Sequence, residues 1–195
     1  SRASQAGLAE VDRYLLAAGK VLRGELDVEK DLLGEVKPSS DGPIPFADFE
    51  DGTYGKWLVT GTAFGDGPVT LQTKAPYQKD IRPHGKYFVN SHNVRAPAVP
   101  ASAGQGDDHI GTLTIPRFRI ERDYVTLLIG GGAHKKETCL NLMVDGKTGL
   151  SATGRNSNTM FRLSWDVRRW KGSEARIQAV DKRKDGWGNL GFDHI

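Results

Sequence analysis

Residues 138–153 have the sequence TCLNLMVDGKTGLSAT. An apolar run fills residues 138–144, and a second short run begins at Leu150. Asp145 and Gly146 lie between them, and both residue types tolerate the positive φ angles of a tight two-residue turn. The segment therefore predicts a β-hairpin whose strands are residues 138–144 and 150–153.

The same pattern of short apolar runs and turn residues extends on both sides of this hairpin. Runs recur about every eight to twelve residues, which is typical of antiparallel sandwiches and barrels. The 24 glycines of the chain agree with a fold that has many turns. We predict a mainly β fold, an antiparallel β-sandwich of the jelly-roll or galactose-binding-like type, with almost no helix after Pro45. The predicted strands are residues 45–49, 57–62, 87–91, 111–115, 124–130, 138–144, 150–153, 161–166, 174–181 and 188–194.

A different pattern comes first and predicts a helical N-terminal segment over residues 1–37. Between Ser4 and Gly24, apolar side chains recur at the spacing of one face of an amphipathic helix. These side chains are Leu8, Val11, Leu15, Ala18 and Leu22. Residues 38–45 (PSSDGPIP) have the composition of a linker. The predicted β-sandwich module is therefore residues 46–195.

Charge and hydropathy narrow the classes of function. The chain carries 27 basic and 24 acidic residues, a net charge of +3, and the two signs are mixed. The densest basic cluster, Lys182 to Lys184, lies between Asp181 and Asp185. Such mixing does not favour a nucleic-acid binder. No apolar stretch approaches the ~20 residues of a membrane span.

The single cysteine, Cys139, excludes a disulfide within the chain and a CxxC metal motif. Because it lies in an apolar run, we interpret it as a small buried hydrophobic residue. The chain starts at Ser1 with no initiator Met and no signal peptide. We therefore interpret it as a piece of a larger protein whose targeting signals lie outside it.

Motifs of hydrolases do not appear, since the chain has no GxSxG, HExxH or P-loop. The acidic residues mostly fall in turns, where they need no catalytic role. A facing pair of acids for glycoside cleavage is a matter of three dimensions. We predict that the module is not an enzyme and keep a glycoside hydrolase as an alternative.

Two glycine-rich turns are candidates for ligand contact. Residues 130–134 (GGGAH) lie between two predicted strands, so they lack the helix of a dinucleotide-binding loop. Their glycines suit either a tight corner or close approach to a ligand. In the second case the loop amides and His134 would contact a sugar hydroxyl. Trp187 is flanked by Gly186 and Gly188, which suits either a stacking platform for a sugar ring or packing over the end of the sandwich. Trp57 and Trp165 are predicted to be core residues.

A calcium site is the one cofactor that the sequence suggests. Glu50 follows the first predicted strand and Asp193 lies in the last. First and last strands of a sandwich often pair, and carboxylate oxygens are ligands that Ca²⁺ prefers. The alternative is that both are ordinary solvated acids.

The sandwich region resembles an accessory β-sandwich module that accompanies levanase- and invertase-like glycoside hydrolases and occurs in large planctomycete proteins with cytochrome-c-like domains. An ordered series of phrases carries the resemblance over nearly everything after the linker. They include residues 47–50 (ADFE), 52–57 (GTYGKW), 128–134 (LIGGGAH), 144–147 (VDGK), 186–188 (GWG) and 192–195 (FDHI). Asn189 stands where the family usually has His, and His92 where it usually has an aromatic residue. The loop over residues 93–108 is also larger than usual.

The resemblance implies a bacterial carbohydrate-binding module and a site at one end of the sandwich. There the segments 90–93, 130–134 and 186–189 are expected to meet. Asparagine, histidine and backbone groups would hydrogen-bond sugar hydroxyls, and Trp187 would stack on a ring. The predicted binding residues are Asn90, His92, Gly131, His134, Trp187 and Asn189.

We therefore predict a non-catalytic carbohydrate-binding module of a larger secreted or envelope protein, placed outside the cell or in the periplasm or cell envelope. Its expected partners are a polysaccharide or oligosaccharide and the neighbouring domains of the parent chain. The alternative is a structural or protein-interaction domain, in which the apolar stripe of the N-terminal helix docks a neighbour.

Overall fold

The computed structural model describes residues 42–94 and 104–195. The chain divides into two units, Ser1–Ile44 and Pro45–Ile195. The predicted helical segment over residues 1–37 lies outside the described residues. The second unit contains every strand reported below.

The described residues form eleven strands and two short helical turns. The helical turns are α1 (Gly104–Asp107) and a 3₁₀ turn (Arg168–Trp170). This small helical content confirms the predicted mainly β class for the described part of the chain. The strands are β1 Leu58–Gly61, β2 Val69–Thr70, β3 Tyr87–Asn90, β4 Gly111–Thr114, β5 Phe118–Arg119, β6 Tyr124–Gly131, β7 Thr138–Val144, β8 Lys147–Ala152, β9 Ser157–Asp166, β10 Glu174–Asp181 and β11 Leu190–Asp193.

The strands assemble into two antiparallel sheets. One has the order β1-β4-β10-β7-β8, with β5 also paired to β10, and the other has the order β2-β3-β11-β6-β9. Fully buried side chains from both sheets share one core cluster; among them are Leu113, Leu140, Leu142 and Ile177 from the first sheet, and Leu127, Ile129, Leu190 and Phe192 from the second. The fold is therefore a β-sandwich, as the alternating strands predicted.

The hairpin of β7 and β8 shows why the local sequence was informative. Asp145 and Gly146 have φ angles of 49° and 75° at its turn, the left-handed values that a tight hairpin turn requires. Strand β8 begins at Lys147 rather than at Leu150, and a shift of register near Leu142 accommodates the difference. The hairpin itself is confirmed.

The strand predicted over residues 45–49 is wrong. The segment has no strand conformation, although the Phe46 and Ala47 amides donate to the Ile195 carbonyl at 2.8 and 3.1 Å. Phe49 has a φ of 58°, which ends any extended pairing there. Three short elements, β2, β5 and α1, were not predicted, because two to four residues are too few to show a periodicity.

The predictions that Cys139, Trp57 and Trp165 belong to the core are confirmed. Cys139 is 1% exposed and Trp165 is buried. Trp57 is half-buried and packs against Phe49 and Phe192, at ring-centroid distances of 5.6 and 6.1 Å. These rings join the start of the sandwich to its last strand.

Candidate functional site

One end of the sandwich is built from the connections that follow β6 and β10. The turn over residues 132–137 and the loop over residues 182–189 bond to each other directly. The Gly132 amide donates to the Asn189 carbonyl at 2.8 Å, and the Lys182 amide donates to the Glu137 carbonyl at 2.8 Å. We call these two connections together the Trp187 rim.

Side chains add to these backbone contacts. His134 Nε2 donates to the Gly186 carbonyl at 3.3 Å. The Ala133 amide donates to Asn156 Oδ1 at 2.8 Å, which attaches the connection between β8 and β9. The end of β3 lies beside the same region, because the Ser91 amide donates to the Leu190 carbonyl at 2.9 Å. The three segments 90–93, 130–134 and 186–189, which were predicted to meet, are therefore neighbours in space.

Glycine is required at the centre of the rim because backbones approach each other closely. A Cβ atom on Gly132 would lie 2.1 Å from the Trp187 carbonyl oxygen. A Cβ atom on Gly131, whose φ is 99°, would lie 2.4 Å from the Asn189 carbonyl oxygen. Both distances are far below a real contact, so the GGG run serves close packing of the two connections.

Trp187 stands out at the surface of this rim. The residue is 39% exposed, and its φ is 62°. A bulky residue rarely adopts this left-handed conformation, which costs about 1 kcal/mol or more. The Gly188 amide donates to the Asp185 carbonyl at 2.7 Å and closes the turn that presents the ring. The fold therefore holds a large aromatic side chain at the surface against its own backbone preference.

Beneath the rim lies a network of side-chain amides. Asn90 Nδ2 donates to Gln78 Oε1 at 2.7 Å, and Gln78 Nε2 donates to Asn158 Oδ1 at 3.3 Å. Asn189 Nδ2 donates to the same Asn158 oxygen at 3.0 Å. Asn90 and Asn189 are buried, so their amides bond to protein partners. No spacing in the sequence marked Gln78 or Asn158 as their partners.

His92 is also an interior residue. Its ring is buried and is held between two loops: Nδ1 lies 2.6 Å from Asp107 Oδ1, and Nε2 is hydrogen-bonded to the Tyr77 hydroxyl. A Cβ atom on Gly106 would lie 2.1 Å from the ring. In this structure His92 therefore joins the end of β3 to α1 and to the loop that precedes β3.

A buried carboxyl group completes the interior of this end. Asp181 is fully buried and accepts hydrogen bonds from Ser91 Oγ at 2.5 Å and from the Arg183 amide at 3.3 Å. Burial raises the pKa of Asp181 to about 7, and the negative charge of Asp107 adds to this effect. The Ser91 hydroxyl also accepts the Leu190 amide at 2.7 Å. This carboxyl group ties β3, β10 and β11 together.

The predicted binding residues thus fall into two groups. Trp187 is exposed and His134 is half-buried, so both can reach a ligand at the rim. Asn90, His92, Gly131 and Asn189 are buried. His92 packs beside α1, whereas the other three lie within or beneath the rim. Binding by any of these residues stays a prediction.

The two predicted calcium ligands lie near the opposite end. Glu50 accepts hydrogen bonds from the Lys86 and Tyr87 amides at 2.9 and 3.0 Å. Asp193, which is fully buried, accepts the His84 and His194 amides, each at 2.7 Å. Burial raises the pKa of Asp193 to about 7, and the carboxylates of Glu50 and Asp48 add to this effect.

Backbone amides already donate hydrogen bonds to both carboxyl groups. Within residues 42–94 and 104–195, no group of three or more His, Cys, Asp or Glu side chains is arranged to hold a metal ion. The calcium hypothesis therefore stays a prediction that a direct measurement has to decide.

If Glu50 and Asp193 share a calcium ion, millimolar calcium is expected to raise the melting temperature, because an ion that binds only the native state stabilises it. Thermal melts with about 2 mM CaCl₂ and with excess chelator would measure this. A Glu50→Gln variant is the control and should not respond. Identical melts with and without calcium would contradict the hypothesis.

Helices in the described part of the chain are all too short or too polar to cross a membrane.

Comparison with known proteins gives one relative by sequence. No family model matches the chain. A protein of Aspergillus rugulosus named "Putative glycosyl hydrolase ecdE" is 36% identical over an alignment of 121 residues, which covers 55% of this chain and 17% of that protein. The chain therefore spans less than a fifth of the length of this relative.

Comparison with solved structures gives distant likenesses. A cyclase from Fischerella sp. TAU has a TM-score of 0.46 and 13% identity, over 77% of this chain and 92% of the other. The module TmCBM61, solved with β-1,4-galactotriose, has a TM-score of 0.45 and 16% identity, over 77% and 94%. An adhesin domain of Lys-gingipain from Porphyromonas gingivalis has a TM-score of 0.44 and 14% identity, over 75% and 92%. Scores this low carry no argument about function.

Proposed function

We propose that this chain is a non-catalytic carbohydrate-binding module of a larger secreted or envelope protein. The observation that carries the proposal is Trp187, a large ring held at the surface by a strained backbone. Residues held in sparsely populated backbone conformations cluster at functional sites. A core role does not account for the 39% exposure of this residue.

The chemistry of the rim suits a sugar. A pyranose or furanose ring offers a weakly apolar face of C–H groups, which an exposed indole can cover. Its hydroxyl groups both donate and accept hydrogen bonds, and the imidazole of His134 can do the same. Each such hydrogen bond contributes on the order of 1 kcal/mol, so we expect a dissociation constant in the roughly micromolar to millimolar range.

The sequence relative supports a modular role. Its shared segment covers 17% of a protein named as a glycosyl hydrolase, which fits a segment that occurs as one part of a larger protein. Nothing in that match assigns the catalytic part of the relative to this chain. A module attached to polysaccharide-active proteins would work outside the cell, where its polymers are.

Replacing Trp187 by alanine is expected to weaken glycan binding about tenfold or more, which corresponds to about 1.4 kcal/mol. The reason is the loss of the stacking surface, while the loop keeps its backbone hydrogen bonds. A glycan array would identify ligands, and calorimetry with the best of them would measure the affinity of both proteins.

Tyr124→Ala is the matched control. Tyr124 is an exposed aromatic residue, at 52% exposure, at the start of β6, whereas the rim follows the end of that strand. This variant should bind like the wild type. If the wild type binds no glycan, the interaction-domain alternative replaces the proposal, and if Trp187→Ala binds normally, the site lies elsewhere.

A further inference from the structure

The Trp187 rim carries a concentration of positive charge that the linear sequence hides. Four lysines lie on its two connections, and all four are exposed. No carboxylate among the described residues forms a salt bridge with them. These lysines are Lys135, Lys136, Lys182 and Lys184.

The acidic residues nearby do not neutralise these lysines. Glu137 and Asp185 both pair with Arg183, at 3.0 and 2.5 Å. Asp181 precedes Lys182 in the chain, but its side chain is buried and bonded to Ser91. Because burial raises the pKa of Asp181 to about 7, this carboxyl group carries only part of a negative charge at neutral pH. Among the residues that the structure describes, no carboxylate therefore pairs with these exposed lysine ammonium groups.

The positive charge of the protein is concentrated at the rim. Five cations and two acids on residues 132–137 and 182–189 leave a net charge of +3, with His134 neutral. The whole chain also has a net charge of +3. The described residues together hold 20 cations and 16 acids, a net charge of +4, so the rim carries three of these four excess positive charges.

We infer that the ligand of this site is an anionic polysaccharide, one that bears carboxylate or sulfate groups along its chain. The inference rests on the proposed function and names the class of glycan. Lysine ammonium groups attract such anions as point charges, whereas the one arginine of the rim, Arg183, is already paired. Trp187 would cover a sugar ring while the lysines contact its charged substituents.

The same rim is less suited to a nucleic acid. Single-stranded nucleic acids are bound by several aromatic rings that stack successive bases along a charged groove. Trp187 is the one aromatic side chain on the two connections of the rim. One ring among lysines fits a single sugar of a charged polymer.

Matched polymers test the inference. Dextran sulfate and polygalacturonate are the anionic probes, and dextran and fully methyl-esterified pectin are their neutral counterparts. At about 50 mM NaCl we expect at least tenfold tighter binding to one anionic polymer than to its neutral counterpart. Affinity should fall as the salt concentration rises. The affinities for dextran sulfate and for polygalacturonate show whether the site prefers sulfate or carboxylate groups.

Two fourfold variants of equal net charge test whether the rim lysines cause the tighter binding to the anionic polymer. Replacing the four rim lysines together by glutamine should weaken binding to the preferred anionic polymer at least tenfold. Replacing four lysines near the opposite end of the strands by glutamine should leave the affinity within about twofold. The control positions are Lys56, Lys86, Lys147 and Lys171.

The outcomes separate this inference from the proposed function. Equal binding to charged and neutral polymers, weakened by Trp187→Ala, would overturn the inference and leave the proposed function standing. No binding to any of the polymers, or to any glycan of the array, would overturn both. Equal binding to a single-stranded oligonucleotide, insensitive to Trp187→Ala, would identify the rim as a general polyanion surface and overturn the inference.

Discussion

Substituting alanine for Gly132 is expected to lower the free energy of unfolding by roughly 2–3 kcal/mol and to abolish measurable glycan binding. The new Cβ atom would lie 2.1 Å from the Trp187 carbonyl oxygen and 2.8 Å from Thr138 Oγ1. The first of these is a backbone atom, so a rotamer change cannot relieve the clash. The loop that presents Trp187 would have to move away from the turn after β6.

Chemical denaturation and calorimetry with the glycan would measure the two effects. Gly186→Ala is the matched control, because a Cβ atom there meets nothing within 4 Å although the residue lies next to Trp187. It should unfold and bind like the wild type. Wild-type stability in Gly132→Ala would mean that the two connections are not packed as described.

Raising the pH from about 5 to about 8 is expected to destabilise the protein, with Asp181 and Asp193 as the cause. Burial raises the pKa of each to about 7, against an ordinary value of 3.8. At pH values between the unfolded pKa of 3.8 and the folded pKa of about 7, these two carboxyl groups are ionised in the unfolded chain and protonated in the folded chain. The free energy of unfolding therefore falls as the pH rises toward 7 and then becomes constant. From pH 5 to the folded pKa of about 7 is about two pH units, so each carboxyl group can lower the free energy of unfolding by at most about 3 kcal/mol over this range.

Urea unfolding at several pH values, in calcium-free buffer, tests this expectation. Asp181→Asn and Asp193→Asn should each reduce the slope of stability against pH, because an amide does not titrate. Asp145→Asn, in the exposed turn of the β7–β8 hairpin, should keep the wild-type slope. Asp80 and Asp166, whose pKa values are lowered by Arg82 and Arg168, act in the opposite direction below about pH 4. Burial and the nearby His84 lower the pKa of His194 from its ordinary 6.5, so this residue opposes the trend within the tested range. A wild-type slope in both buried-site variants would show that neither carboxyl group is protonated in the fold.

Local chemistry explains why much of the fold was predictable. The Asp145–Gly146 turn and the apolar runs beside it depend on interactions between neighbours in the chain, which a sequence displays. The run over residues 45–49 has the same apolar character, yet it does not form a strand, because Phe49 has a φ of 58° and the Phe46 and Ala47 amides share one carbonyl, that of the distant Ile195. Turn chemistry is local, whereas pairing of distant segments is not.

Some features of the candidate site were likewise predictable from the sequence and others were not. The exposed turn of Trp187 and the close packing of the glycine run follow from residue types that have special backbone freedom. The burial of Asn90 and Asn189 does not, because their partners Gln78 and Asn158 lie 12 and 31 residues away. A polar side chain in a sequence looks the same whether it faces a ligand or a buried amide.

By itself, the sequence determined the β class, the hairpin at Asp145–Gly146 and the candidacy of Trp187, because each depends on neighbouring residues. The tertiary structure alone decided which polar groups are buried and where the charge lies. In the chain, Asp181 stands beside the basic run and would balance it. In the fold its side chain points into the interior, and the lysines at 182 and 184 join those at 135 and 136 on one rim. Charge depends on distance and burial in space, which the order of residues does not record.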